Sequence, residues 1–203
     1  MINVDFYLTV SSRYTYLAMT QLDRIAREHR CSFTWKPVNN HELLARRGYD
    51  PFKTENNTSG QYDWAYREYD AKCWAKFYGV PFVEPINFRR DPIYLVNSCY
   101  AAEQCGYLEA FCRRLSEAIF VESRVIVESD INSIAKEVGI DPVEFENAYN
   151  SDFPSDRFTE LHDEAARRKV FGVPTFVLRE KMFWGNDRLR LLEWELQQLA
   201  DDG

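Results

Sequence analysis

The most constraining feature of this sequence is where its strand-forming residues lie: near the two ends, with few between. Val4-Asp5-Phe6-Tyr7-Leu8-Thr9-Val10 is rich in β-branched and aromatic residues and reads as a strand. Ser11-Ser12 follows, and then Tyr16, Leu17, Met19, Leu22 and Ile25 recur at helical spacing. Ser11 or Ser12 is therefore the expected N-cap of a helix running to about His29. A second strand is expected over Ser32-Phe33-Thr34-Trp35-Lys36-Pro37-Val38. A β-α-β unit favours parallel pairing through a right-handed crossover.

From about Asn39 to Lys169 the patterns are mostly helical. Gln61 to Tyr78 is a long amphipathic candidate, with Tyr62, Tyr66, Tyr69 and Cys73 at helical spacing. Pro81, Pro85 and Pro92 punctuate a loop around Asn87-Phe88-Arg89-Arg90. Ile93 to Cys105 and Leu108 to Val121 read as helices, and Ser129-Asp130 caps Ile131 to Val138. Asp141-Pro142 opens another helix, with Asp at the cap and Pro at the first helical position, and Ser155 to Lys169 is one more. The strand signal then returns. Thr175-Phe176-Val177-Leu178 and Lys181-Met182-Phe183-Trp184 flank Arg179-Glu180 and read as a hairpin, although Arg-Glu is a poor two-residue turn. Asn186-Asp187 caps a last helix, Arg188 to about Ala200. The order is β-α-β, a helical insert, then β-β-α. Joined across the insert, the outer pieces have the element order of a thioredoxin core. The expected class is α/β, with residues 1–38 and 170–203 forming the thioredoxin-like domain and 39–169 an all-helical insertion domain.

Composition narrows the function. At 45% hydrophobic and 15% aromatic, the 203-residue chain can build a sizeable core. A net charge of -7 argues against DNA or RNA as the main partner, because phosphate binding needs an excess of Lys and Arg. No apolar run approaches the roughly 20 residues that cross a bilayer, so no membrane partner is expected. The first residues carry an acid and no basic stretch, which reads as a strand and not as a signal peptide and makes the cytoplasm the simplest location. The five cysteines, Cys31, Cys73, Cys99, Cys105 and Cys112, are odd in number and form no C-x-x-C, so neither a disulfide framework nor a zinc site is expected. Buried small hydrophobes are the plainer reading. Cys105 and Cys112 would share a face if their segment were one continuous helix. His29, His41 and His162 lack metal-ligand spacing and read as surface or capping residues; no metal is expected.

Three places could carry chemistry. Ser12 stands where a strand gives way to a helix. Unpaired N–H groups and the helix dipole there favour an anion such as a thiolate, to which a hydroxyl can donate one more hydrogen bond. An ordinary N-cap explains the same residue. Val173-Pro174 precedes a strand; a cis bond there would turn the Val173 N–H and C=O outward, whereas a trans proline opening a strand is the plainer reading. In Trp184-Gly185-Asn186-Asp187 the glycine permits a sharp turn and Asn186 or Asp187 caps the last helix, and an acid there could also take a ligand's ammonium group. No G-x-S-x-G, G-x-G-x-x-G or P-loop pattern occurs.

Together, Asp5-Phe6-Tyr7, Ser12, Tyr16-Leu17-Ala18, Tyr78-Gly79-Val80-Pro81, the run from Arg168 to Thr175 and the run from Phe183 to Leu189 resemble the DsbA-like, kappa-class glutathione transferase group, and within it the 2-hydroxychromene-2-carboxylate isomerases. The resemblance covers nearly the whole chain and is most specific in Val170-Phe171-Gly172-Val173-Pro174-Thr175 and Trp184-Gly185-Asn186-Asp187-Arg188-Leu189. It implies a glutathione cofactor, with Ser12 as the catalytic residue beside the thiol. Val173, ahead of cis Pro174, would pair with the cysteinyl part, and Trp184, Gly185, Asn186 and Asp187 would receive the γ-glutamyl end. It implies isomerisation of a chromene carboxylate to an open benzylidenepyruvate, a small aromatic or electrophilic substrate, and a homodimer. A kappa-like transferase and a non-catalytic glutathione-binding module are the alternatives. A thiol-disulfide oxidoreductase is disfavoured because Ser12-Arg13-Tyr14-Thr15 carries no cysteine. Arg13, Asn57 and Phe88 fall on the substrate side. Arg13 stands where the family often has proline; a ligand carboxylate or plain solvent could be its partner. The stretch Asn56-Asn57-Thr58-Ser59-Gly60-Gln61-Tyr62 lacks the lysine often found there.

Overall fold

The structure, a computed structural model, describes residues 1–48, 64–85 and 92–201. Strand β1 spans Ile2–Leu8, helix α1 Arg13–His29 and strand β2 Cys31–Pro37. Helices α2 (Asn40–Ala45), α3 (Trp64–Tyr78), α4 (Ile93–Gln104), α5 (Leu108–Phe120), α6 (Ile131–Glu137), α7 (Pro142–Tyr149) and α8 (Phe153–Arg167) follow. Strands β3 (Thr175–Leu178) and β4 (Lys181–Trp184) and helix α9 (Leu189–Asp201) complete it. The first strand begins and ends earlier than its residue types suggest: Val10 lies in the turn before α1, its side chain buried. The last helix is preceded by a short 3-10 turn, Asn186–Arg188, so Gly185 and not Asn186 stands at the cap position.

The sheet order is β2-β1-β3-β4. β1 and β2 run parallel from Ile2 opposite Cys31 to Leu8 opposite Pro37, as a β-α-β crossover requires. β3 lies antiparallel on the other side of β1, with Tyr7 opposite Thr175, and β4 antiparallel on β3, with Thr175 opposite Trp184. The thioredoxin-like core is therefore built from chain segments at the two ends of the sequence. Arg179, the first residue of the tight turn between β3 and β4, has φ 57°, the left-handed conformation that primed hairpin turns demand.

Side chains alternate across β1. Val4, Phe6 and Leu8 pack with Leu17, Leu22 and Ile25 of α1 and with Leu189, Leu192 and Leu196 of α9. Tyr7 points to the opposite face, among Val96, Tyr100, Leu161 and Val177. Its hydroxyl donates to Glu164 Oε1 at 2.6 Å, the same oxygen that Lys36 Nζ reaches at 2.6 Å. Lys36 also meets Asp5 at 3.1 Å, and Arg168 meets Asp5 at 2.7 Å. Two cations thus balance two carboxylates where α8 crosses the strands, which keeps half-buried charges from standing alone.

Two expectations about faces are corrected. The aromatic stripe of α3 is not its buried side: Tyr66, Tyr69 and Cys73 are exposed, Tyr69 by 64%. Ala71 and Ala75 are buried instead, and such small side chains let α3 approach α1 closely. Cys105 and Cys112 do not share a helix, because Gly106 at φ 81° separates α4 from α5. Cys112 meets Cys99 across the two helices, and burial pushes its thiol well above the usual range. Cys31, Cys99 and Cys112 are buried, whereas Cys73 is exposed, and all five are free thiols. Among the described residues, no helix is long and apolar enough to cross a membrane.

His162 is fully buried and not a surface residue. Its Nε2 accepts from the Asn39 N–H at 2.9 Å, while Nδ1 lies 2.6 Å from the Phe158 carbonyl. This pairing fixes the neutral tautomer with the proton on Nδ1, and burial holds its pKa below the ordinary histidine value. Above about pH 6.5 the ring is neutral both folded and unfolded. Below it the unfolded chain takes up the proton first, so His162 removes stability as the pH falls. Urea unfolding between neutral and mildly acidic pH should therefore show a steeper stability loss in the native protein than in His162→Gln. Equal slopes would remove His162 from the acid response.

Candidate active site

The register of the sheet assembles this site. β1 ends, β3 begins and β4 ends at the same edge, since Tyr7, Thr175 and Trp184 stand side by side across three strands. The segment after β1, the one before β3 and the one after β4 must therefore meet there. They bring Ser12, Val173-Pro174 and Trp184 to Asp187 together.

Ser12 is the N-cap of α1, with φ -96° and ψ 122°. Its carbonyl accepts the first helical bond from Tyr16 N–H at 3.0 Å, and its Oγ accepts from Thr15 N–H at 3.3 Å. The capping role is thus real, and it uses Oγ only as an acceptor. The hydroxyl proton is donated to no described residue. Thr15 is fully buried, and its Oγ1 has no hydrogen-bond partner.

The Val173-Pro174 bond is cis. Val173 is half-buried, and among the described residues neither its N–H nor its C=O takes a backbone partner. Pro174 gives its carbonyl to Gly185 N–H at 2.9 Å, which ties the two motifs together. Trp184, 50% exposed, folds back over Gly172: a Cβ there would lie 2.8 Å from Trp184 Nε1, so any larger residue would have to displace the indole. The Phe171 and Trp184 rings meet edge to face at 4.9 Å. Gly185 adopts φ 113° and ψ 155°, and a Cβ there would fall on the Asp187 carboxylate. Asn186 is buried; its carbonyl accepts from the Tyr78 hydroxyl at 3.2 Å, while its Nδ2 has no hydrogen-bond partner.

Arg13 departs from one of its expected surroundings, plain solvent. It is only 7% exposed, so it is not a solvated arginine, and its charge has an internal partner, Glu84, at 2.6 Å. The guanidinium also lies 5.2 Å above the Trp64 ring. The first turn of α1 holds no acid, so Glu84 supplies the negative charge that offsets Arg13 at the positive end of the helix. Burial pulls the Arg13 pKa down and pushes that of Glu84 up, each held back by the other's charge. Arg13 Nη1 and Glu84 Oε2 remain buried without hydrogen-bond partners.

Glu84 was not singled out from the sequence, and Tyr78 was named only within the Tyr78-Gly79-Val80-Pro81 motif, with no role of its own. Their loop is set by the Tyr78-Gly79-Val80-Pro81 motif: Val80 N–H closes on the Ala75 carbonyl at 3.0 Å, and the Tyr16 hydroxyl donates to the Pro81 carbonyl at 2.6 Å. An acid between apolar residues and a proline was the one available signal. Asn57 and Phe88 lie outside the described residues.

The DSBA-like thioredoxin domain matches residues 3–197. The chain belongs to the DsbA-like thioredoxin family. A member from Pseudomonas putida named 2-hydroxychromene-2-carboxylate isomerase is 30% identical to it over 204 residues, which is 97% of this chain and 95% of the relative. A solved structure of 2-hydroxychromene-2-carboxylate isomerase overlays with a TM-score of 0.80 at 25% identity, covering 99% of this chain and 97% of that one. A probable DsbA oxidoreductase from Streptomyces coelicolor overlays at a TM-score of 0.78 with 16% identity, covering 100% and 92%, and shares the fold.

Gly185 offers a direct check on this family corner. Its backbone lies in a region open essentially to glycine alone, so Gly185→Ala should cost roughly 1–3 kcal/mol in urea unfolding. An unchanged midpoint would mean that the turn does not have this geometry.

Proposed function

We propose that this chain is a glutathione-dependent isomerase that interconverts a chromene carboxylate and an open benzylidenepyruvate. The full-length identity with isomerases of that name supports the reaction. The observation that carries the cofactor is a set of unspent polar groups at one end of the sheet: the Ser12 hydroxyl proton, the Val173 N–H and C=O, and the buried Asn186 Nδ2. An extended thiol peptide fits that set. The Val173 backbone pairs with the cysteinyl residue as one more strand would. Asn186 Nδ2 donates to the γ-glutamyl end, Asp187 takes its ammonium group, and the exposed Trp184 indole gives it an apolar wall.

When bound, glutathione supplies a thiolate for reversible addition to the substrate. The protein's part is to hold that sulfur ionised and in place. The α1 N-terminus provides partial positive charge and Ser12 donates its free proton to the sulfur. Ser12 serves as a donor and not as the nucleophile: among the described residues its Oγ bonds only to the Thr15 N–H, and none of them is a base hydrogen-bonded to it. A thiol-disulfide oxidoreductase would need cysteine where this chain has Ser12 and Thr15.

One observation keeps a second reading in view. With its charge engaged by Glu84, Arg13 is a weaker receptor for a substrate carboxylate than a free arginine, which favours a kappa-like transferase acting on another electrophile. Product analysis separates the two: an isomerase returns glutathione unchanged from the chromene carboxylate, whereas a transferase releases a stable conjugate.

Glutathione at millimolar concentration should raise the melting temperature, because a ligand that binds only the folded state stabilises it. No shift would count against the cofactor. Ser12→Ala should raise the pKa of the bound thiol by about one to two units, the value of one hydrogen bond to a charged group, read from the ultraviolet thiolate absorbance. An unchanged pKa would remove Ser12 from the chemistry.

A further inference from the structure

Helices α1, α3 and α9 leave a cavity of about 310 Å³ where they meet, and Ser12, Val173 and Trp184 to Asp187 take no part in its lining. Its volume is at the small end of the roughly 300–1,000 Å³ range of ligand sites. Phe77 and Tyr78, at the end of α3, and Leu189, at the start of α9, form its apolar side. Leu189 is buried and Tyr78 half-buried, whereas Phe77 is 59% exposed. The Phe77 and Tyr78 rings meet at 5.5 Å, so two aromatic surfaces stand together at one wall.

The charged residues of the cavity are of two kinds. Arg24 is spent: its Nη1 and Nη2 donate to Glu193 at 3.0 and 2.8 Å, and Nη1 also to Glu28 at 2.6 Å. Arg24 and Glu193 thus close one wall as an ion pair. Arg190 is different. Its guanidinium carbon lies 4.8 Å from the Phe77 ring centroid, and no carboxylate among the described residues comes within ion-pair distance of it. Glu193 is engaged by Arg24, and Asp187 pairs with Arg188 at 3.1 Å. The first turn of α9, which carries Arg190, holds no acid, so the partial positive charge of that helix end adds to the arginine's. Gln21 gives one amide N–H to Thr20 Oγ1 at 2.9 Å, and a side-chain amide carries a second. One free cation beside aromatic carbon matches a ligand with one negative charge and a ring. A phosphate ester would bring up to about two negative charges close to Glu193 and Glu28 and find a single free arginine to meet them.

We propose that this cavity is a second binding site, which takes a small aromatic monocarboxylate. Arg190 receives the carboxylate through charge-assisted hydrogen bonds, Gln21 adds a neutral donor, and the ring lies against Phe77 and Tyr78 above Leu189. The site is separate from the one at Ser12 and does not depend on the glutathione reading. Its nearest link to that corner is the Tyr78 hydroxyl, which donates to the Asn186 carbonyl at 3.2 Å.

The test is an amide NMR titration of the native protein, Arg190→Gln and Phe77→Ala with trans-cinnamate and its uncharged analogue cinnamamide. In the native protein, cinnamate should move the signals of Gln21, Phe77, Tyr78 and Arg190 and bind there about tenfold more tightly than cinnamamide. Arg190→Gln should bind both probes alike at the native affinity for cinnamamide. Phe77→Ala should weaken both and keep the preference, because it removes ring contact and leaves the charge. Arg190 and Phe77 are exposed, and unchanged β1 signals report that each variant is folded. Signals that move only around Ser12 and Val173, or not at all, overturn the second site. Equal native affinity for the two probes, or a full preference surviving in Arg190→Gln, overturns the carboxylate assignment to Arg190.

Discussion

The antiparallel pairing of β3 with β1 is the contact on which the rest of this structure depends. It joins two ends of the chain that the helices keep far apart in sequence, and it sets Tyr7 beside Thr175 and Thr175 beside Trp184. A slip of one residue would turn Phe176 out of its stack with Phe6, whose ring it meets at 4.8 Å, and would exchange the two faces of the strand. The buried stack therefore fixes the register, and the register puts the cap of α1, the residue before cis Pro174 and the turn after β4 at one edge. The helices contribute by covering both faces and by setting the Tyr78 loop against Asn186.

That edge is electrostatically prepared for an anion. The N-terminus of α1 carries partial positive charge, and its first turn holds no acid to cancel it. Arg13 would add a full charge, but Glu84 pairs with it at 2.6 Å and offsets that charge. Ser12 then refines the direction of that field. It caps the helix with a lone pair and keeps its proton, so one residue both closes the helix and presents a donor. The capping and ligand-binding readings of Ser12 are compatible for this reason.

Much of this was legible in the sequence, for local reasons. Strand residues at both ends, a serine before a helical stripe, a proline opening a strand and a glycine after a tryptophan each act through their own backbone or nearest neighbours. What escaped depends on partners distant in the chain. Helical spacing grouped Tyr66, Tyr69 and Cys73 correctly on one face of α3, but it could not say that α1 packs against Ala71 and Ala75 on another. His162 looked like a surface residue because the N–H it accepts from belongs to Asn39, 123 positions away. Arg13 resembled a free cation until Glu84, on a loop beyond α3, was brought against it. The substrate side was the least legible part: Asn57 and Phe88 were named for it by resemblance alone.

The most direct test of the central claim is a crystal structure of the protein with glutathione bound. If Ser12 is the donor to the thiolate, the sulfur lies within hydrogen-bond distance of Ser12 Oγ, with the cysteinyl N–H and C=O paired to the Val173 backbone. A sulfur lying away from Ser12, or a peptide that leaves Val173 unpaired, would contradict it.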